Sequence, residues 1–377
     1  MIDVQAFCKS LKKAGYKFIT GVPDSLLKEL TYSFDYFFKK NHIISTNEGS
    51  AVALAIGNYL GTKTPGVVYL QNSGLGNIIN PITSLANSKV YGIPILLIIG
   101  WRGEVYNGKQ IKDEPQHKFQ GLITIDQLKL LKIPYKIISS KTKNFTKVIR
   151  DLKKKSIIYQ TPSAIIVRKD TFSKFKNKNK TRSKYNYFRE DVIYDLISQL
   201  KNKKTHIVCT TGMASRELYE ARIKKKENEF QDFLSVGGMG HASQIAAGLA
   251  LTNKNKIVCI DGDGAFLMHT GALGISSKVK NLIHIVINNK SHDSVGGQPT
   301  LGNKLNLKKI SKEFGYKNSY LIEKRSKIPV IINKCFKSKF SSMIIINCNQ
   351  GYRKNLGRPG QNMIIRKKNF IKFIHKL

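Results

Sequence analysis

A chain of 377 residues with 64 lysines and arginines against 24 aspartates and glutamates carries a formal net charge of +40. The length allows two domains of ordinary size, and no apolar run reaches the roughly 20 residues that span a bilayer. Five cysteines (Cys8, Cys209, Cys259, Cys335, Cys348) are scattered without CxxC spacing, which argues for reduced core thiols against disulfides or zinc ligands. The start, MIDVQAFCKSLKKAGYKF, is amphipathic, with no continuous apolar core and no small-residue cleavage site, so a cytoplasmic protein is expected. Lysines in KNKKTH, RIKKKENE and FKNKNKTRSK fall in predicted loops and helix ends, outside any nucleic-acid motif. They read as a solvated surface, with no nucleic acid or membrane as partner.

Periodicity predicts helix over 3–14, strand 17–20, helix 24–38 and strand 42–45. A small-residue helix follows at 48–60, then strands at 66–70 and 94–99 around a glycine-rich connection, and a strand at 163–168. Segment 171–186 is charged and poor in large aliphatics, which suits a linker between domains at 1–170 and 187–377. The second half predicts helix 189–201, strand 206–209, helices near 213–223 and 241–251, and strands 256–260, 282–287 and 343–347. Apolar runs such as IVCI and IHIVI between helices imply an α/β fold: two domains, each a mainly parallel sheet with helices on both faces. The halves show no simple sequence repeat.

The most informative segment is KIVCIDGDGAFLMHTGALGISSKVKNLIHIVINN, residues 256–289. A strand runs into Asp261-Gly262-Asp263-Gly264, and a second delivers Asn288-Asn289. Glycine lets backbone approach a phosphate, but an aspartate between glycines repels one unless a divalent metal intervenes. Asp263 and Asn289 then become hard oxygen ligands of a metal diphosphate. A dinucleotide fingerprint wants a third glycine where this chain has Leu267, and a plain Asp-Gly turn leaves the paired asparagines unexplained.

Glu48 opens a helix in SerThrAsnGluGlySerAlaValAlaLeuAla, where a helix-dipole role is the plain reading. The small residues behind it (Gly49, Ser50, Ala51, Ala53, Ala55, Gly57) suggest a closely packed helix, on which a desolvated carboxylate with raised pKa can share a proton with a ligand nitrogen.

With these residues in view, the second half resembles the diphosphate-binding domain of thiamine-diphosphate enzymes and the first half their pyrimidine-binding domain, with Glu48 matching the glutamate that activates the aminopyrimidine. GVPDSLL at 21–27, NEGSAVALAIG at 47–57, QNSGLGNIINPITSL at 71–85, GWRGE at 100–104, KDEPQHKFQG at 112–121, VGGMGHAS at 236–243 and NNKSHDSVGGQPT at 288–300 are similar to the phosphonopyruvate decarboxylase family. The sulfopyruvate decarboxylases are its close relatives. The resemblance implies decarboxylation of 3-phosphonopyruvate to phosphonoacetaldehyde and CO2 through a cofactor ylide and enamine, in phosphonate biosynthesis. A sulfonate in place of the phosphonate, or capture of the enamine by an acceptor carbonyl, is the alternative.

It further implies thiamine diphosphate and Mg²⁺ as cofactors. Asp263, Asn289 and the Ser291 carbonyl would ligate the metal, and Thr210, Thr211 and Gly212, together with Gly262, Gly264 and Ala265, would surround the cofactor. In Gly238-Met239, the methionine matches the wedge that bends the cofactor, although a buried methionine is ordinarily core filler. His117 and His292, both in predicted loops, and Asp24 are candidate catalytic groups; Asp24, Arg102 and His117 are candidate substrate contacts. Asp24 reads equally as an N-cap for the following helix. His241 and His269 are not assigned a catalytic role. The basic stretch Tyr352–Arg358 either meets the phosphonate or is a solvated loop. A cofactor bound at its two ends by different domains implies a homodimer or larger. The gap from Gly264 to Asn288 is slightly short for the wider family, which bears on which asparagine binds the metal.

Overall fold

The computed structural model describes residues 1–175, 184–360 and 362–375. Residues 176–183, within the linker expected at 171–186, lie outside the described residues. The chain forms two compact units, Met1–Lys180 and Thr181–Leu377.

In unit 1 the elements are α1 (Val4–Lys13), β1 (Ile19–Gly21), α2 (Lys28–Phe38), β2 (His42–Ile44), α3 (Glu48–Thr62), β3 (Gly66–Gln71), α4 (Leu75–Pro81), β4 (Ile95–Gly100), a hairpin of β5 (Val105–Tyr106) and β6 (Lys109–Gln110), α5 (Pro115–Leu130), β7 (Tyr135–Ile138), α6 (Phe145–Ile158) and β8 (Ser163–Val167). Six strands make one all-parallel sheet in the order β2-β1-β3-β4-β8-β7. β4 shows why its sequence is continuously apolar. Leu96 and Ile98 enter a core with Phe7, Leu11 and Phe34, while Ile95, Leu97 and Ile99 enter a second core with Val52, Ile78 and Leu128 on the other face. Each such isoleucine contributes about 1.5–3 kcal/mol by leaving water.

Unit 2 contains α7 (Arg189–Leu200), β9 (Thr205–Cys209), α8 (Met213–Lys224), β10 (Asp232–Leu234), α9 (Ala242–Leu251), β11 (Lys256–Gly262), α10 (Asp263–Met268), α11 (Leu273–Ser276), β12 (Leu282–Asn288), α12 (Leu307–Glu313), β13 (Asn318–Ile322), α13 (Ile328–Lys337), β14 (Ser342–Asn347) and α14 (Met363–Ile374). Its sheet is again all parallel, in the order β10-β9-β11-β12-β14-β13. Numbered by appearance within each sheet, both orders are second, first, third, fourth, sixth, fifth. The two units thus share one topology without a visible sequence repeat. The expected α/β class, with helices on both faces of two parallel sheets, is what the chain forms.

Several expectations need correction. The helix expected over 24–38 starts at Lys28, because residues 22–27 turn instead at the end of β1. The connection after β3 is helical through α4. The stretch 100–162, for which no elements were expected, holds the hairpin, α5, β7 and α6. α5 buries Gly121, Thr124 and Leu128, too small and polar a set to show as an apolar stripe. β7 and β10 are short edge strands, and β13 is an edge strand with half-exposed positions. All five cysteines are free and buried. Among the described residues, no helix is long and apolar enough to cross a membrane.

Candidate active site

In unit 1 the candidate residues gather where β1, β3 and β4 end. In open parallel sheets this carboxyl edge, at the point where the strand order reverses, is where ligands bind. Asp24 follows β1 and is wholly buried. Gln71 Nε2 donates to its Oδ1 at 2.7 Å and the Leu26 amide to its Oδ2 at 3.2 Å. Burial pushes this carboxyl up, against the Gln71 hydrogen bond and the Arg102 charge, which pull it down. The N-cap reading of Asp24 fails: Leu27 occupies the N-cap of α2, with no side-chain cap.

Glu48 is the first residue of α3, behind the N-cap Asn47, and is 7% exposed. Asn77 Nδ2 donates to its Oε2 at 2.7 Å. Burial pushes the Glu48 carboxyl up, with the Asn77 hydrogen bond acting against it. Arg102 is forked onto Asp113 through Nε (2.8 Å) and Nη2, and its Nη1 donates to Ser25 Oγ at 3.1 Å. His117 lies in the first turn of α5, where a loop was expected, and its carbonyl packs against Gly103, a glycine at φ +62°. Proline at the helix start and a short preceding hairpin let that turn form.

The residues that organise this edge come from one segment, 71–77. Gln71 holds Asp24; Asn72 donates to the Arg102 carbonyl and to Thr124 Oγ1, both at 2.9 Å; Gly74 and Asn77 face Glu48. Sequence reasoning missed all four as functional, although the polar run after an apolar strand was the signal.

In unit 2 the candidates lie at the ends of β9, β11 and β12, again across the reversal point. Thr210, Thr211 and Gly212 follow β9. Gly212 has φ +89°, and a Cβ there would sit 2.5 Å from Ser294 Oγ. It opens α8, whose N-terminus has no side-chain N-cap from that residue. Gly238 and Gly240, at φ +62° and +88°, flank half-buried Met239. His241 and His269 stack beside them with ring centres 4.5 Å apart.

Gly262 ends β11 with open space at its Cβ position. Asp263 is buried, which pushes its carboxyl up to about 7 against a hydrogen bond from Thr300. Gly264 admits the ring of His292, whose Cε1 lies 2.9 Å from the glycine's Cβ position; burial pulls that histidine down to about 4. Ala265 is buried behind them. Asn288 donates to the Gly302 carbonyl and to Asn347 Oδ1. Asn289 donates to Asp293 Oδ2 at 2.6 Å, and its Oδ1 accepts from the Ser291 amide at 3.2 Å.

Two further groups support this edge. Arg189 forks onto Glu217 at 2.7 and 2.9 Å and reaches Asp293 at 3.1 Å, so the partner of Asn289 is itself held by a buried cation. A Cβ at Gly302 would lie 2.7 Å from both Asp263 Oδ2 and Asn288 Oδ1. In the Tyr352–Arg358 stretch, Arg353 is spent on Glu190 and Glu220, which pins this segment to α7 and α8.

The donor set fits a hard cation with a diphosphate. Among the described residues, Asn288 Oδ1 and Ser291 Oγ are buried without hydrogen-bond partners, and Asn288 Oδ1 shares the Cβ position of Gly302 with the Asp263 carboxylate; buried polar atoms are seldom left so without a ligand or ion to complete them. Gly238 and Gly262 have room at their Cβ positions, whereas the Cβ position of Gly212 is filled by Ser294.

Residues 4–130 match the thiamine pyrophosphate enzyme N-terminal TPP binding domain, and residues 210–346 the thiamine pyrophosphate enzyme C-terminal TPP binding domain. The chain is 30% identical over 376 residues to a phosphonopyruvate decarboxylase of Streptomyces viridochromogenes, covering 95% of this chain and 91% of that one. A phosphonopyruvate decarboxylase of Streptomyces hygroscopicus is 28% identical over 376 residues, with 95% and 90% covered. A sulfopyruvate decarboxylase of Methanosarcina acetivorans is 27% identical over 312 residues, with 77% and 76% covered. The chain therefore belongs to the thiamine pyrophosphate enzymes and, within them, to the family of the phosphonopyruvate decarboxylases.

Proposed function

We propose that the protein is a cytoplasmic decarboxylase of 3-phosphonopyruvate, dependent on thiamine diphosphate and Mg²⁺, that releases CO2 and phosphonoacetaldehyde for phosphonate biosynthesis. The observation that carries this reading is Glu48: a buried carboxyl at a helix start, held above the ordinary carboxylate range, in a chain that aligns with phosphonopyruvate decarboxylases over 95% of its length.

When bound, thiamine diphosphate supplies the electron sink for the pair left as the carboxylate departs. Unit 1 acts as the pyrimidine-binding domain, in which Glu48 shares a proton with a ring nitrogen. Unit 2 acts as the diphosphate-binding domain. There Asp263, Asn289 and the Ser291 carbonyl hold the metal, an all-oxygen set suited to Mg²⁺. Thr210, Thr211 and Gly212 bring the start of α8 to the diphosphate, where amides and helix dipole favour negative charge. Gly238 and Gly262 let backbone approach the cofactor, Gly264 and Ala265 would border it beside the His292 ring, and Met239 would wedge against it. Asp24, which holds its proton to higher pH than an exposed carboxyl, would deliver the proton that replaces CO2. His292, neutral at pH 7, accepts or relays a proton. Arg102, through Nη1, and His117 meet the substrate anion.

Self-association as a homodimer or larger belongs to this proposal. Its support is that α3 and α9, which join the second and third strands of their own sheets, each leave apolar side chains in water: Leu54 and Leu60 on α3, Ile245 and Leu251 on α9. Sedimentation should give at least twice the chain mass.

The deciding experiment supplies thiamine diphosphate and Mg²⁺ and compares CO2 release from phosphonopyruvate, sulfopyruvate and pyruvate. Fastest turnover of phosphonopyruvate is expected. Faster turnover of sulfopyruvate would reassign the chain to that sister activity, and carboligation products formed only with added aldehyde would replace decarboxylation as its main task.

A further inference from the structure

The two oxygens of Glu48 are held differently. Oε2 accepts from Asn77 Nδ2 at 2.7 Å, whereas Oε1, Cδ and Cγ rest against Gly74, whose Cβ position is 2.5 Å from Oε1 and 2.7 Å from the two carbons. Gly74 is the N-cap of α4 and Asn77 lies in its first turn, so one short segment supplies both contacts. A matching glycine sits on the other side. Gly49 in α3 has its Cβ position 3.0 Å from the Asn77 carbonyl, so a side chain there would push the helix starts apart. Leu75 and Ile78 anchor α4 in the same core as Ala51 and Val52 of α3. The distance from Asn77 to Glu48 is thus set by packing on both helices.

Among the described residues, Asn77 is the one side chain that hydrogen-bonds Glu48, and it is uncharged. A lysine or arginine in its place would stabilise the carboxylate so strongly that it would not share a proton. A neutral amide instead offsets part of the burial and leaves the proton exchangeable.

We propose that Asn77 is a positioning residue of the reaction. It fixes Glu48 by Oε2, presents Oε1 to the cofactor's ring nitrogen, and keeps the acidity of Glu48 in the range where its proton is shared. This rests on the reading of Glu48 as partner of the pyrimidine ring.

The test uses the full chain loaded with thiamine diphosphate and Mg²⁺, without substrate. Exchange of the cofactor's C2 proton with deuterium is followed by acid quench and NMR, alongside calorimetric cofactor binding and, separately, the pH profile of kcat/KM. Asn77→Asp is isosteric and places a second carboxyl against Glu48, so the pair retains a proton at neutral pH. Exchange should slow by about 100-fold, within the range for a misplaced acid–base group. The acid limb of the profile should move to higher pH. Asn77→Ala should slow exchange by about 10-fold and move the limb the same way, and should add nothing further in a Glu48→Gln background. Cofactor affinity should change far less than exchange, because the diphosphate is held by other residues. Normal exchange with an unmoved limb in both Asn77 variants, while Glu48→Gln is slow, overturns the role of Asn77 and leaves that of Glu48 standing. Normal exchange in Glu48→Gln overturns both.

Discussion

Replacing Gly74 by alanine should separate catalysis from stability. The added methyl would lie 2.5 Å from Glu48 Oε1 and 2.7 Å from its Cδ and Cγ, where such atoms settle at about 3.5–4.0 Å. The carboxylate must retreat by roughly 1 Å, and a misplacement of that size costs about 100-fold in rate. Backbone strain plays no part, since Gly74 has φ −78° and ψ −7°, an ordinary helical conformation. Overpacking costs about 1–3 kcal/mol, and the less flexible unfolded chain returns about 0.4–1 kcal/mol. The net loss is therefore about 2.5 kcal/mol at most, or a Tm lower by up to several degrees at about 2–4 °C per kcal/mol. The assay is kcat/KM for phosphonopyruvate beside thermal unfolding of the apoprotein. Gly61→Ala in α3, where the Cβ meets open space, is the control. Activity of Gly74→Ala within about threefold of wild type, far short of the loss expected from misplacement, would refute the placement of Glu48 at the reacting end of the site.

Gly302→Ala should weaken Mg²⁺-dependent cofactor binding by at least about 10-fold, because its methyl lands on Asp263 Oδ2 and Asn288 Oδ1; titration calorimetry reads this directly. Arg189→Met should destabilise unit 2 by about 3–5 kcal/mol, since Glu217 and Asp293 are left buried without their cation, and chemical denaturation measures the loss. Burial pushes the Asp113 carboxyl up, but hydrogen bonds from Arg102, Glu114 and Gly103 and the Arg102 charge outweigh it and hold Asp113 well below the usual carboxylate range. A depressed carboxyl stabilises the fold above its unfolded pKa of about 4, and that contribution disappears as the pH falls through the lower folded value. Asp113→Asn should therefore lower stability at neutral pH and flatten its decline below pH ~4, as followed by circular dichroism.

What could be read from the sequence follows a physical division. Strands buried on both faces, such as β4 and β12, carry uninterrupted apolar runs that no other element explains. Edge strands β7 and β13 leave positions wet and β10 is only three residues long, so none of them carries that signature. α5 escaped notice because it packs through glycine and threonine. Glu48, Asp263 and the paired asparagines stand out in the sequence because the signal that singles them out is local: a residue type in a short, unusual setting. Asn77 and Glu48 are 29 positions apart, and Arg189 and Glu217 are 28 apart. Sheet order brings such partners together, and strand order is not written in any single segment. The turn at residues 22–27 was misread for a related reason: Asp24 looks like a helix cap locally, but Gln71, from the neighbouring strand, has claimed it.

The shared strand order also places unlike loops in register. The start of α3, with Glu48, occupies the position that Gly238–His241 holds at the start of α9, and the 71–77 segment after β3 corresponds to residues 262–268 after β11. One layout, used twice, carries different groups at matching places: the buried Glu48 carboxyl after the second strand of one unit, and the positive-φ glycines 238 and 240 there in the other. Equivalent scaffolds thus present unlike side chains at matching strand ends, and the strand order alone does not say which loop carries which chemistry.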